Sequence, residues 1–345
     1  MPRLSPKLIH HLSKTNPLLP LLLRQTRTPS LAKAEYRWLL SYVLKTPIPT
    51  QSSKSSYLKY LCHRRSIGVP LQYLLKTQPF GNLEILCGPG ALIPRPETEE
   101  TVFRLCEIIE LNYPNLLGKS QDRNGELRIL DLCTGPGSIV LLAADLLHKL
   151  SLQNGYQILG VDISSAALAL AKKSLNYNIS QENIPKNVSQ NIDFVEADIL
   201  TNDRSELYNK ISQLFEPKRE GKVNRTVDII ISNPPYISPE GYWKDTARSV
   251  RLFEPELALV PPALHLQDSV AREDLFYPVI QAVARDLGAQ AVVLETGGNE
   301  QSTRVREIFS ANGWETSIWE DFSGIKRNVV AWQKHSKWSC LESPA

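Results

Sequence analysis

The 345-residue sequence predicts an α/β fold: a doubly wound sheet of seven strands, preceded by a small helical domain and a connecting β-hairpin. Three observations predict it. From residue 98 onward, short apolar strand-like stretches alternate with segments of helical period. The first of these stretches runs straight into a glycine turn, Thr134-Gly135-Pro136-Gly137, and then into a helical pattern. Ahead of residue 76 the chain instead reads as helix punctuated by proline.

The front end carries two helical segments. Over 31–45, Leu31, Ala34, Trp38 and Tyr42 recur near helical spacing, and Pro47 and Pro49 end the run. A polar joint at 52–56 precedes a second segment over 57–65. From 69 to 93 the apolar stretches are broken by Pro79, Gly81, Gly88, Pro89 and Gly90, which is the texture of a hairpin. The chain therefore divides into a helical domain (1–76), a hairpin linker (77–94), the α/β domain (95–335) and a tail (336–345).

Within the α/β domain, strands are expected over 128–132, 157–161, 192–196, 227–232 and 291–295, with two late strands over 315–319 and 327–332 closing a parallel sheet. Helices are expected over 138–150, 165–176, 268–287 and 300–312. Polar runs at 121–126, 181–190 and 202–225 read as surface loops. Glu97 and Glu99 suit a helix N-terminus, where acids complement the dipole.

Composition excludes several classes. No run of eighteen uncharged apolar residues exists, and the apolar stretch 18–23 is broken by Pro20, so no membrane partner is expected. The five cysteines are scattered without a C-x-x-C pair, which argues against a disulfide framework or a zinc site and for a reducing compartment. Residues 1–90 hold thirteen lysines and arginines against Glu35 and Glu84, and no acid precedes Glu35. That basic front end fits a nucleic-acid or ribosome-facing surface, a mitochondrial import segment, or a solvated helical face.

The segment Ile129-Leu130-Asp131-Leu132-Cys133-Thr134-Gly135-Pro136-Gly137-Ser138 is a strand, a turn and a helix start. Glycines permit close backbone approach, and the helix start offers free N–H groups to an anion. A dinucleotide fingerprint would place a third glycine at position 140, which is Val. Asp162 ends the second strand, where an acid bonds ribose hydroxyls, and Asp198 follows the third, near where an adenine would lie. Three such points at successive strand ends favour a nucleoside site over a ligand-free turn with capping acids.

The fourth strand runs into Asn233-Pro234-Pro235-Tyr236. Two prolines fix φ and remove two donors, leaving their carbonyls as acceptors. The Asn233 carboxamide and a proline carbonyl then each accept one N–H of a substrate –NH₂, while Tyr236 supplies a flat face. Such a grip suits an amide nitrogen, a poor nucleophile until its lone pair is localised and aimed. The alternative is a rigid strand-ending turn.

At these residues the chain resembles the release-factor glutamine methyltransferases, the HemK/PrmC family. Leu92-Ile93-Pro94-Arg95-Pro96-Glu97-Thr98-Glu99 is similar to that family's hallmark segment, and 228–238, Arg251-Leu252-Phe253-Glu254-Pro255 and Leu294-Glu295-Thr296-Gly297 recur in order. The likeness spans roughly 57–333. It implies a class I methyltransferase (Rossmann-like) sheet and the cofactor S-adenosylmethionine, contacted by Cys133, Thr134, Gly135, Pro136, Gly137, Asp162, Ile199 and Asn233. It further implies that Asn233, Pro234 and Tyr236 hold the glutamine of a Gly-Gly-Gln loop in a class I peptide chain release factor, with the helical domain binding that substrate. Two departures stand out: Cys133 and Pro136 alter the glycine turn, and Ile199 follows Asp198 where the family often has an aromatic residue.

Two rivals differ in class. An adenine-N6 methyltransferase shares the Asn-Pro-Pro-Tyr segment, but the P-R-P-E-T-E and R-F-E-P-like segments belong to the glutamine enzymes. A non-catalytic RNA- or ribosome-binding relative would be expected to lack Asp162 or an intact loop. The expectation is a monomeric mitochondrial enzyme with no metal and no direct nucleic-acid substrate.

Overall fold

The computed structural model describes residues 3–48, 50–116, 126–150, 152, 155–215, 227–263 and 271–342, the side chains of 51–52 and 113–115 excepted. The chain forms two compact units. The smaller comprises Met1–Gln78, Cys87–Pro89 and Thr246–Glu254, and the larger Pro79–Leu86, Gly90–Asp245 and Pro255–Ala345.

The smaller unit is helical, with helices Pro6–Thr15, Leu19–Thr26, Pro29–Lys45, Gln51–Ser66, Leu71–Leu75 and Arg248–Phe253. Thr28 and Thr50 cap two of them, each hydroxyl accepting the backbone N–H three residues on. Leu12, Leu19, Leu22, Leu23, Leu39, Val43, Leu61 and Cys62 are buried in this unit. The buried stripe of helix Pro29–Lys45 is Ala32, Glu35, Leu39 and Val43, while Leu31 and Trp38 are about half exposed. The expected apolar stripe is therefore displaced by one residue. The cause is Glu35, a charge on the inner face, held by Arg65: Nε donates to Oε2 and Nη2 to Oε1, both at 2.8 Å.

The larger unit is built on seven strands: β1 Leu127–Leu132, β2 Tyr156–Asp162, β3 Ile192–Glu196, β4 Ile229–Ser232, β5 Ala291–Glu295, β6 Trp314–Glu320 and β7 Lys326–Gln333. Their order is β3-β2-β1-β4-β5-β7-β6. The first five pair in parallel, whereas β7 is antiparallel to both β5 and β6. The sheet is thus mixed rather than wholly parallel, because the few residues joining β6 to β7 permit a hairpin but no crossover.

Both faces of the central strands are covered. Ile129, Ile158, Ile229, Ile231 and Val293 pack on one face beneath helices Pro96–Leu116 and Ser138–Lys149. Leu130, Leu132, Leu159, Val161, Ile230 and Val292 pack on the other beneath Ser205–Phe215, Phe276–Asp286 and Asn299–Ala311. The hairpin Thr77–Phe80 and Leu83–Leu86 sends Phe80, Leu83 and Ile85 into the first of these cores. Asn178 clamps it by accepting from Glu84 N and donating to Glu84 O.

Helix Ser165–Ser180 runs four residues past expectation, and the expected loop at 181–190 ends in the 3₁₀ turn Lys186–Asn191. The expected loop at 202–225 is helical over Ser205–Phe215, with Leu207, Ile211 and Phe215 buried; residues 216–225 lie outside the described residues, as does nearly all of 121–126. The helix expected from 268 begins at Phe276, after a 3₁₀ turn at Arg272–Asp274, and 268–270 lie outside the described residues. Residues expected as a tail form the 3₁₀ turn Lys337–Glu342, whose Trp338 and Leu341 are buried in the core. Among the described residues no helix is long and apolar enough to cross a membrane.

Candidate active site

The strand order reverses between β1 and β4, and in open α/β sheets ligands bind beyond the carboxyl ends at such a point. A cavity of about 760 Å³ lies there. Of the residues singled out in the sequence, Cys133, Thr134, Gly135, Pro136, Asp162, Asp198, Ile199, Asn233 and Pro235 line it. Gly137, Pro234 and Tyr236 do not.

The turn after β1 is tightly built. Thr134 N donates to Val161 O and Gly137 N to Thr134 O, both at 3.0 Å. Cys133, Gly135 and Gly137 all adopt left-handed backbone, with φ of 64°, 57° and 81°. Gly137 is packed from below: a Cβ there would lie 2.9 Å from Ala171 Cβ. Helix Ser138–Lys149 begins immediately afterwards.

Asp162 joins β2 to this turn. Its Oδ2 accepts from Gly135 N and its Oδ1 from Ser164 N, both at 2.8 Å. Burial pushes its carboxyl above the usual range, against those backbone hydrogen bonds. Asp198 is exposed and its Oδ1 accepts from Leu200 N, while the adjoining Ile199 is buried. Asp131, on β1, is wholly buried, with Thr134 as its side-chain neighbour. Burial pushes Asp131 well above the carboxylate range, with Thr134 opposing and the charge of Asp162 adding to the rise. Two acids on the cavity wall, Asp162 and Asp198, match a cofactor carrying positive charge and ribose hydroxyls. Ile163, Ala197, Ile199 and Leu200 supply apolar wall for a planar base. The residues present fit S-adenosylmethionine.

The loop after β4 is anchored at both ends. Ser232 Oγ donates to Leu132 O at 2.6 Å, tying β4 to β1. Ile237 N donates to Leu259 O at 2.9 Å. Between them, Asn233 Nδ2 donates to Thr98 Oγ1 at 2.9 Å, and Thr98 Oγ1 donates to Glu295 Oε2 at 2.6 Å. Tyr236 OH donates to the other oxygen, Oε1, at 3.0 Å, and Tyr277 OH to the Glu295 carbonyl. Burial pushes the Tyr236 hydroxyl well up, with the Glu295 charge adding to it. The Tyr236 ring therefore stands behind the cavity wall, beside Gly297.

Sequence reasoning assigned no role to Thr98 or Glu295, although both lie in segments that carried the family likeness. It also passed over Gly90, Ser164, Leu257, Pro262 and Phe276, which line the cavity. None of these five stands in a motif, so their only signal is the fold.

A family profile described as "Eco57I restriction-modification methylase" matches residues 156–254. Curated relatives cover far more. The probable MRF1 mitochondrial N(5)-glutamine methyltransferase mtq1 of Schizosaccharomyces pombe is 33% identical over 94% of both chains. The mitochondrial MRF1 N(5)-glutamine methyltransferase MTQ1 of Saccharomyces cerevisiae is 36% identical over 75% of this chain and 68% of its own. The release factor glutamine methyltransferase of Pasteurella multocida is 32% identical over 78% of each.

Proposed function

The chain belongs to the release-factor glutamine methyltransferases, and on that premise we propose that it methylates the side-chain amide nitrogen of the glutamine in the Gly-Gly-Gln loop of a class I peptide chain release factor in mitochondria. The observation that carries the reading is one cavity shared by the turn after β1, by Asp162 and by Asn233 with Pro235. A nucleoside-binding edge and an amide-gripping loop open on the same space.

When bound, S-adenosylmethionine supplies an electrophilic methyl group. Cys133 to Pro136, Asp162, Asp198 and Ile199 hold that cofactor in this proposal, with Gly137 packing the turn from below. Asn233 Oδ1 and the Pro234 carbonyl each accept one hydrogen of the substrate –NH₂. Held this way, the nitrogen lone pair is turned out of conjugation with its carbonyl and directed along the transfer line. The nitrogen sheds its proton after alkylation, so no general base has to stand in the site. Pro235 stiffens the loop and Tyr236 braces it against Glu295. The helical unit holds the protein substrate, for which the exposed Leu31 and Trp38 supply an apolar face. The enzyme acts as a monomer.

The test is transfer of labelled methyl from S-adenosylmethionine to a purified mitochondrial release factor. A factor whose Gly-Gly-Gln glutamine is replaced by alanine, bulk RNA, and enzyme carrying Asn233→Ala serve as comparisons. Label in the intact factor alone, lost with either substitution, is the expected result. Label in RNA would replace this reading with adenine methylation.

A further inference from the structure

Asparagine can present either end of its carboxamide to a substrate, and the two ends have opposite chemistry. Only the oxygen end can accept an N–H from a glutamine amide. In this fold the choice is made by a chain of hydrogen bonds that starts at Glu295, directly behind the cavity-lining Thr98. Glu295 ends β5, fully enclosed, and its carboxylate accepts from Thr98 through Oε2 and from Tyr236 through Oε1. Thr98 has a single hydroxyl hydrogen, and it is committed to Glu295. The Thr98 oxygen can therefore only accept from Asn233, and it takes an Nδ2 hydrogen at 2.9 Å. Reversing the carboxamide would set Asn233 Oδ1 against an oxygen with no hydrogen to offer, an unmet buried contact.

From this geometry we infer that Thr98 and Glu295 are positioning residues, which fix the Asn233 carboxamide with its oxygen toward the substrate amide. The inference rests on the glutamine-methylating reading above. The polarity of the relay is set by the charge on Glu295: ionised, it is a pure acceptor and the hydrogens run from Asn233 through Thr98 to the carboxylate. Protonated, it becomes a donor, Thr98 is released to donate toward Asn233, and the carboxamide turns over. Burial pushes the Glu295 carboxyl above its ordinary range, while Thr98, Tyr236 and the charge of Arg327 oppose and Glu97 adds to the rise. Arg95 also bears on this cluster, as does Tyr277, itself faced by Asp274 and Arg304.

Three variants test it, assayed for methyl transfer to the release factor with cofactor saturating and with cofactor affinity measured separately by calorimetry. Thr98→Val keeps the shape and removes the acceptor. Its kcat is expected to fall about tenfold, the rate equivalent of one oriented hydrogen bond, with cofactor affinity unchanged. Thr98→Ser restores the hydroxyl and is expected within about twofold of wild type, on the same scale. Wild-type kcat is expected to decline as pH falls through the raised Glu295 pKa, since the ionised form sets the working orientation. Glu295→Gln, whose amide supports either polarity, is expected to be slower at pH 8 and to lack that decline. Should Thr98→Val fail to fold, the Glu295→Gln pH profile decides. An unaltered kcat in Thr98→Val, an equal loss in Thr98→Ser, or a loss confined to cofactor affinity overturns the inference. So does an acid limb preserved in Glu295→Gln. An inactive wild-type enzyme overturns the functional reading as well, which separates the two failures.

Discussion

Gly135 and Gly137 share a backbone conformation and differ in surroundings, so the same substitution at each is expected to do different damage. Both lie in the left-handed region, at φ 57° and 81°. A side chain there costs about 1–2 kcal/mol. At Gly135 an added Cβ meets nothing within 4 Å, and the residue lines the cavity. At Gly137 it would meet Ala171 Cβ at 2.9 Å and the Phe194 ring at 3.2 Å, and the residue is off the cavity wall. Overpacking of that kind adds roughly 1–3 kcal/mol. Gly135→Ala should therefore lose about 1–2 kcal/mol of stability and Gly137→Ala about 2–5 kcal/mol. The larger loss is a substantial part of the roughly 5–15 kcal/mol that holds a typical domain together. Cofactor affinity should follow the reverse order. The Gly135→Ala methyl occupies ligand space and is expected to weaken binding at least about tenfold, or ~1.4 kcal/mol. Folded Gly137→Ala should bind within about threefold of wild type, under ~0.7 kcal/mol. Denaturant unfolding and calorimetric titration with S-adenosylmethionine measure the two quantities. Equal stability losses, or a greater affinity loss at Gly137, would refute the assignment of Gly135 to the ligand and Gly137 to the packing.

Further expectations concern the ion pair and the thiols. Arg65→Leu strands the Glu35 carboxylate in the helical core and should cost about 3 kcal/mol, whereas Glu35→Leu combined with Arg65→Met should recover most of it; denaturant midpoints of the single and double variants decide. Burial pushes the thiols of Cys62 and Cys106 up to about 12, with the Glu35 charge adding to it at Cys62. Both should resist iodoacetamide at pH 8 until the protein is unfolded, so prompt native labelling, located by mass spectrometry, would count against their burial. Cys133 holds a left-handed φ of 64° that glycine adopts freely. Cys133→Gly should therefore stabilise the fold by about 1 kcal/mol, seen as a higher unfolding midpoint.

What could be read in advance follows from the range of the interactions involved. The central strands were visible because strands covered on both faces are largely apolar, as 229–231 is throughout and 129–132 is apart from Asp131. The turn after β1, Asp162 and Asn233 to Tyr236 were visible because each is a local motif whose backbone chemistry is complete within a few residues. Helix Pro96–Leu116 went largely unread although Val102, Leu105, Cys106 and Ile109 mark its inner face, since it starts in a proline- and acid-rich segment that suggested only a helix start. Helix Ser205–Phe215 was obscured in the same way by a polar run. Glu35 misled more deeply: a carboxylate on the buried stripe argues for the solvent face, and only Arg65, thirty residues on, reverses that argument. Thr98 and Glu295 are the extreme case. Their hydrogen bond spans 197 residues, and the next link, to Asn233, spans 135. A threonine hydroxyl has one hydrogen, and what its oxygen does for Asn233 depends on where that hydrogen has gone. That is settled by the packing of β5 against helix Pro96–Leu116, so the role of Thr98 belongs to the fold and has no local signature in the chain.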